Sequence, residues 1–461
     1  MFSNERPTWI EFFRGERTRR EFLVTLALLM LYRLSTFVPL PGSLPYDPSQ
    51  VQSTPNSPDL VSGFINLLSG GAYARLSVLA LGLMPYAAAS AFLRGLIPLV
   101  PALDRMTRED PSTARRKISL WTYGLVAPFA LLQSFLLFFN TSLDCSLHFL
   151  VQLRLPFSSD PLSVITLLVS LMAGSYFVVW IAELINEYGF RNSGFNSIVF
   201  AGVCVLLTEE LYRFWRGPQG TDNLLAAMGL SESAQHWLSL AVYVLILVFA
   251  LYLVIFLMSG RRNIPVMYPS MNTLRAARQG LHAPLASFPL RIFPAMESML
   301  EVQGLATLIL LGLGRLACTS QPSLQVVGQV AQAATSPQYF LAPLLLYFLF
   351  VTVGPWLAEV EFLQTDIAAN LRRSGGIIPG VKPGAPTEKY LLKVFRRLIF
   401  LPTVFGPLII FLPWFVGVLL GIPSSILTGE ALFFAAGFVR DLVYTAEAEV
   451  MLSSYGSKHL V

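Results

Sequence analysis

Ten long apolar stretches dominate this chain, and most of them are long enough to cross a bilayer. A hydrocarbon core of ~30 Å requires about 20 residues of helix. Only 13% of the residues are charged, against about 25% in a soluble domain. The sequence therefore predicts an all-α membrane protein with spans near 21–40, 76–97, 118–139, 162–182, 195–208, 237–258, 292–313, 339–358, 398–420 and 426–443.

The basic residues alternate between the connections of these spans. With the N-terminus placed in the cytoplasm, 26 of the 32 Lys and Arg residues fall on the inner side and 5 on the outer side, and Arg33 lies within span one. Such a bias sets the orientation of a multi-span protein. We expect both termini in the cytoplasm, and we attribute the net charge of +5 to topology rather than to nucleic-acid binding.

The spans divide five and five. Residues 1–208 form a predicted N-terminal half with spans one to five, residues 237–461 form the C-terminal half with spans six to ten, and 209–236 connects them outside. Because five is odd, the second half enters the membrane inverted, which places a path or site between the halves. Channels, secondary transporters and protein translocases all use this topology, so it leaves the function open.

Two inner connections are too long to be simple turns. Residues 259–291 contain five Lys or Arg residues and residues 362–397 contain seven. One interpretation is topogenic charge with contact to anionic lipid. The other, favoured by their length, is a pair of docking surfaces for a cytoplasmic partner.

The sequence contains no recognisable motif for binding a metal ion or a nucleotide. The three cysteines and four histidines are scattered without ligand spacing, so we expect no metal and no cofactor. No Gly-x-x-x-x-Gly-Lys-(Ser/Thr) string occurs. We therefore expect a protein that is not an enzyme and that obtains energy from a partner.

Several local strings carry a resemblance to a known family. They are Leu31–Gly42, Leu67–Tyr86 with its Ser-Gly-Gly-Ala and Met-Pro-Tyr elements, Ala114–Ser119, Val199–Gly202 and Ser374–Gly384 with its Pro-Gly-x-Lys-Pro-Gly turn. In order, spacing and orientation the chain resembles SecY, the central subunit of the bacterial protein-conducting channel. The resemblance covers nearly the whole chain.

The resemblance implies a clamshell of two halves around an hourglass pore. A plug near residues 61–74 would close the outer funnel, and spans two and three would form a lateral gate against spans seven and eight. Unfolded polypeptides would cross the pore, and hydrophobic segments would leave through the gate into lipid. The implied location is the bacterial cytoplasmic membrane rather than a thylakoid-type membrane.

The same resemblance implies partners and site residues. The partners are SecE-like and SecG-like small subunits, the motor ATPase SecA or the ribosome, and nascent chains. A ring of apolar side chains would seal the pore at Leu83, Ala87, Val199, Val203 and Phe434, with Glu301 at the position from span seven. The plug would contain Phe64, Ile65, Leu67, Leu68, Gly70 and Gly71, and partner docking would use Arg261, Arg262, Arg372, Arg373 and Lys382.

Three residues depart from the family pattern or need a separate interpretation. Glu297 and Glu301 lie four apart in a span that is usually apolar. One interpretation is an altered gate or pore, and another is a hydrated Glu297 near the inner funnel with Glu301 protonated or hydrogen-bonded across the gate. A third is a pair of proton carriers in a small-solute transporter. Lys382 replaces the usual arginine and keeps the charge without the planar fork of donors. These departures also leave open whether the chain is a general or an accessory translocase subunit.

Pro85, inside predicted span two, predicts a kink.

Overall fold

The structure is a computed structural model that is predominantly helical. It describes residues 16–41, 60–73, 75–109, 111–138, 161–189, 194–215, 232–268, 286–291, 322–335, 367–419 and 431–443, with short pieces of 305–314 and 353–362. Glu297, Glu301 and most of predicted spans seven and eight lie outside the described residues. The interpretations that rest on those two carboxylates therefore stay predictions.

The helices of the first half follow the predicted spans, with two additional short helices, one before and one after the helix of span two. They are α1 (Glu16–Ser35), α2 (Leu60–Leu68), α3 (Met84–Leu96), α4 (Pro101–Glu109), α5 (Pro111–Phe138), α6 (Pro161–Tyr188) and α7 (Gly194–Trp215). Helix α6 packs against α1, α5 and α7, and α3 packs against α5. Within the described residues, α5, α6 and the Ala241–Met258 part of the next helix are long and apolar enough to span a membrane.

The second half adds helices and one small sheet. Its elements are α8 (Glu232–Ser259), β1 (Arg261–Val266), β2 (Ala286–Arg291), α9 (Pro322–Thr335), α10 (Ile367–Arg373), α11 (Ala385–Leu419) and a helix at 431–443, named α12. Strands β1 and β2 pair antiparallel, with Arg261 opposite Arg291 and Val266 opposite Ala286. Helix α8 packs against α11. The hairpin lies within an inner connection for which the sequence predicted no strand.

Span two differs from its sequence prediction. Residues 78–83 form turns, and the helix begins only at Met84. Pro85 lies in the first turn of α3, where a proline costs no hydrogen bond because the first amides of a helix have no intrahelical acceptor. The predicted kink at Pro85 is therefore wrong. The bend lies further along, where α3 and Pro101–Thr107 meet at 97°.

Gly82 permits the tight turn that precedes α3. Its φ is +51°, a region that costs an L-residue about 1–2 kcal/mol. A β-carbon at this position would lie 2.4 Å from the carbonyl oxygen of Leu68 and 2.5 Å from the Cα of Ser69. The turn at the start of α3 and the end of α2 can therefore pack this closely only with glycine here.

We predict that Gly82→Ala destabilises the protein by at least about 2 kcal/mol, because backbone strain and a backbone clash add together. Gly124→Ala is the matched control, since a β-carbon at Gly124 would meet nothing within 4 Å. Thermal unfolding in mild detergent, followed by loss of the monodisperse species, measures both variants. Equal melting temperatures for the two would contradict the packing described for Gly82.

Candidate functional site

The predicted plug residues lie on the short helix α2 and in the turn that follows it. Phe64, Ile65, Leu67 and Leu68 of α2 are each at most 1% exposed. The helix ends in a glycine turn, where the Gly71 amide donates to the Asn66 carbonyl at 2.9 Å and the Gly70 amide donates to the Leu67 carbonyl at 3.1 Å. Gly70 has a φ of +62° and Gly71 of +84°, which is the usual backbone of a helix C-terminus.

Helix α7 provides the surface on which this segment rests. A β-carbon at Gly202 would lie 2.9 Å from the Cα of Gly70 and 3.0 Å from the carbonyl oxygen of Leu67. From the side of α3, the Leu83 amide donates to the Leu68 carbonyl at 3.4 Å. The plug segment is thus in contact with two of the helices to which pore-ring residues were assigned.

The residues predicted to form the pore ring at the start of α3, in α7 and in α12 are all buried. Leu83 is 0%, Val199 1%, Val203 2% and Phe434 2% exposed, and these four belong to one contiguous apolar cluster with the plug side chains. Ala87 is also buried, one turn after Leu83, but it lies outside that cluster. Glu301, the remaining member of the predicted ring, lies outside the described residues.

A line of aromatic rings, which sequence reasoning missed, connects three of these helices with α5. Tyr123 of α5 stacks on Tyr86 of α3 with centroids 6.1 Å apart, Tyr86 lies 6.0 Å from Phe195 of α7, and Phe195 lies 6.4 Å from Phe434 of α12. Aromatic pairs at these separations attract beyond their buried area. Only Tyr86 stood within a recognisable motif, so the sequence carried little signal for the line.

A polar contact joins α7 to α12 near the same place. The Asn196 side-chain amide donates to Asp441 at 2.7 Å. Arg440 also donates to Asp441, from Nη2 at 3.1 Å. The two helices are contributed by opposite halves of the sequence. Sequence reasoning did not predict this contact.

The two basic inner connections form one structural unit. The Met267 amide donates to the Ile377 carbonyl and the Ile377 amide donates to the Met267 carbonyl, both at 2.8 Å. Side chains of the hairpin and of residues 371–399 also share a small core. It contains Ile264, Val266, Leu290, Leu371, Ile378, Leu391, Val394, Phe395 and Ile399. We call this unit the inner platform.

The five predicted docking residues are all exposed on the inner platform. Arg261 and Arg262 begin β1, directly after α8. Arg372 and Arg373 end α10, four or five residues before Ile377. Six residues of strand separate Arg261 from Met267, which is about 20 Å. The structure therefore places Arg261 and Arg262 at the end of β1 remote from the bridge.

Lys382 is presented by a rigid turn. Gly380 and Gly384 flank it with φ of +82° and +105°. The Thr387 hydroxyl donates to the Lys382 carbonyl at 2.9 Å, and the Val381 amide donates to the Ile378 carbonyl at 3.1 Å. The exposed ammonium group is thus held on a backbone that is fixed at several points.

Arg396, on the inner platform, forms an ion pair with Glu359. Its Nε donates to both carboxylate oxygens of Glu359, at 3.0 and 3.1 Å. These hydrogen bonds, with the charge of Glu359, raise the pKa of the Arg396 guanidinium above its ordinary value. The Arg396 guanidinium therefore stays protonated throughout the physiological pH range.

The described residues contain no group of three His, Cys, Asp or Glu side chains arranged to hold a metal ion. Cys204 on α7 is a free thiol. Cys145 and Cys318 lie outside the described residues.

Solved structures share this fold over almost the whole chain. A structure described as "The structure of a protein conducting channel" aligns with a TM-score of 0.60 and 11% identity, covering 94% of this chain and 93% of that one. Sec61 in the canine ribosome-channel complex from the endoplasmic reticulum aligns with a TM-score of 0.57 and 11% identity, covering 94% and 93%. At these identities the similarity shows the fold alone.

Curated sequences and a family model extend the comparison. The protein translocase subunit SecY of Staphylococcus epidermidis is 26% identical over 451 residues, which cover 97% of this chain and 98% of that protein. SecY of Staphylococcus carnosus is also 26% identical, over 453 residues. The SecY family model matches residues 77–443. Because that match spans well over half of the chain, this protein belongs to the SecY family.

Proposed function

We propose that this chain is the pore subunit of a Sec-type translocase, which passes unfolded polypeptides across the cell membrane and releases transmembrane segments through a lateral gate. The observation that carries the proposal is the burial of the plug helix in one apolar cluster with Leu83, Val199, Val203 and Phe434. Those residues come from helices at both ends of the chain. Family membership points to the same function.

The chemistry of the cluster suits a gated seal. A constriction lined only by apolar side chains excludes water and, with it, hydrated ions. Such side chains make no directional bonds, so an arriving polypeptide separates them without breaking hydrogen bonds. Leu83 and Val203 would thereby block ions at rest while leaving the path open to a chain of any sequence.

The protein is an integral protein of the cell membrane, and the finer topology is part of the proposal. Both termini would lie in the cytoplasm, with residues 1–208 and 237–461 as the two halves and 209–236 outside. Large apolar side chains on α8, such as Leu245 at 68% and Phe256 at 62% exposure, supply a surface for lipid or for SecE-like and SecG-like subunits.

The inner platform would receive the partner that supplies energy. The five predicted docking cations, all exposed, suit an acidic surface of SecA or the phosphates of a ribosome. The solved Sec61 channel with the same fold was determined in a ribosome complex. Either partner would engage Lys382 and Arg372 on the turn and helix that lead into α11.

A proton-coupled transporter of a small solute was the alternative function. The comparisons give it no support, because the family model and the curated relatives are those of protein translocases. The two carboxylates on which it depended, Glu297 and Glu301, lie outside the described residues.

We predict that Val199→Asp raises the ion conductance of the resting channel, because a carboxylate in the apolar cluster draws in water. Conductance in planar bilayers measures the effect. Val199→Ile is the matched control, since it keeps the position apolar and should leave the conductance at the parent level. A Val199→Asp channel that conducts like the parent would show that the assigned seal is wrong.

We predict that Lys382→Glu slows translocation of a secretory precursor into reconstituted vesicles while the protein remains inserted and folded. An exposed charge contributes little to stability, whereas reversing it repels an acidic partner. Lys117→Glu, the same change at an exposed position on α5, is the control. Binding of purified SecA and of ribosomes is measured for both variants. Unchanged binding of both partners by Lys382→Glu would exclude Lys382 as a docking residue.

A further inference from the structure

Arg33 is a cation near the end of an apolar helix, where the proposed pore has no obvious need for charge. It lies three residues before the C-terminal turn residue Thr36, and its guanidinium Nη1 donates to the Thr36 hydroxyl oxygen at 3.2 Å. A positive side chain in the last turn of a helix is favoured by the helix dipole. That local role accounts for the charge.

The same nitrogen reaches the plug segment. Arg33 Nη1 donates to the backbone carbonyl of Gly70 at 3.2 Å, across 37 residues of sequence. Tyr32, the preceding residue, packs on Gly70 so closely that a β-carbon there would lie 2.5 Å from its hydroxyl. Gly70 is therefore enclosed between α1 on one side and Gly202 of α7 on the other.

A second set of contacts fixes α1 to the chain that leaves the plug. The guanidinium groups of Arg33 and Arg75 lie 5.0 and 4.8 Å from the centroid of the Phe37 ring. The Leu40 amide donates to the Leu76 carbonyl, and the Val78 amide donates to the Val38 carbonyl, both at 3.0 Å. The two ends of the loop that contains α2 are thus joined at the end of α1.

We propose that Arg33 is a positioning residue that holds the plug segment in its seated place. This inference rests on the proposed function, because it assigns the segment around α2 the role of a plug. The paired backbone at Leu40 and Val78 keeps the loop ends together, and the Arg33 bond to Gly70 fixes the glycine turn that follows α2. Movement of α2 out of the apolar cluster requires that bond to break.

The test reads the position of the plug directly. Leu68→Cys is introduced after the native Cys145, Cys204 and Cys318 are replaced, and its reaction with a membrane-impermeant maleimide is timed in vesicles. Leu68 is 1% exposed, so the seated plug protects it. A hydrogen bond to a charged group contributes about 1.5–3 kcal/mol, so Arg33→Met should speed labelling about 10- to 100-fold.

Two matched variants separate the bond from other effects of the substitution. Arg33→Lys retains the charge without the planar fork, and it should label at a rate between the parent and Arg33→Met. Arg75→Met removes the other cation from the Phe37 ring; an exposed cation–π contact of about 0.5–1 kcal/mol corresponds to a two- to fivefold change. Protease protection confirms that each variant is inserted.

The resting ion conductance of the same vesicles distinguishes a failure of the positioning role of Arg33 from a failure of the proposed sealing function of the plug. Faster labelling of Arg33→Met supports the positioning role, whether or not the conductance rises. Faster labelling with unchanged conductance would contradict the proposed sealing function of the plug while leaving the role of Arg33 in place. Labelling of Arg33→Met at the parent rate, or no faster than Arg75→Met, would overturn the inference.

Discussion

A helix that is too short to cross the bilayer must satisfy its backbone inside the protein, and the rest of the first half is arranged around this constraint. Irregular backbone is tolerated at membrane depth only where protein or a water-filled cavity surrounds it. Here the carbonyl groups at the end of α2 accept hydrogen bonds from the amides of Gly70, Gly71 and Leu83. The Gly70 carbonyl, in the turn that follows, accepts one from the guanidinium of Arg33. Close packing of Gly82 and Gly202 brings the neighbouring backbones near enough for this.

The inner platform is connected to the membrane by two packed helices. Helix α8 leads into β1 at Arg261, and α11 begins at Ala385, directly after the turn that presents Lys382. At 1.5 Å per residue, the 35 residues of α11 extend about 52 Å. Because α11 packs on α8, a partner that displaces the platform acts on two spans together. Ile264 and Phe395 belong to one shared core, which joins the hairpin to α11.

The periodic and compositional features of the fold were predictable, whereas contacts between distant segments were not. Apolar length located α6 and α8, and the Ser-Gly-Gly-Ala string located the glycine turn after α2. Pro85 was misassigned because a proline inside an apolar stretch and a proline at a helix start look alike in sequence. The hairpin lacked a hydrophobic alternation long enough to indicate strands. Pairs such as Asn196 with Asp441 depend on tertiary approach, which spacing does not encode.

The energetics of the proposed plug would explain how such a channel can stay closed and still open. Burial of Phe64, Ile65, Leu67 and Leu68 contributes about 1.5–3 kcal/mol for each side chain as an upper estimate. A closed state with that advantage would seldom open by thermal motion alone. A hydrophobic segment that enters the apolar cluster occupies the surface that α2 vacates, so it offsets most of the loss. The bound segment then shifts the equilibrium by its differential affinity for the open state, and a polar segment has little such affinity. In the proposed channel, selection of hydrophobic signals would therefore follow from the same contacts that seal the resting pore.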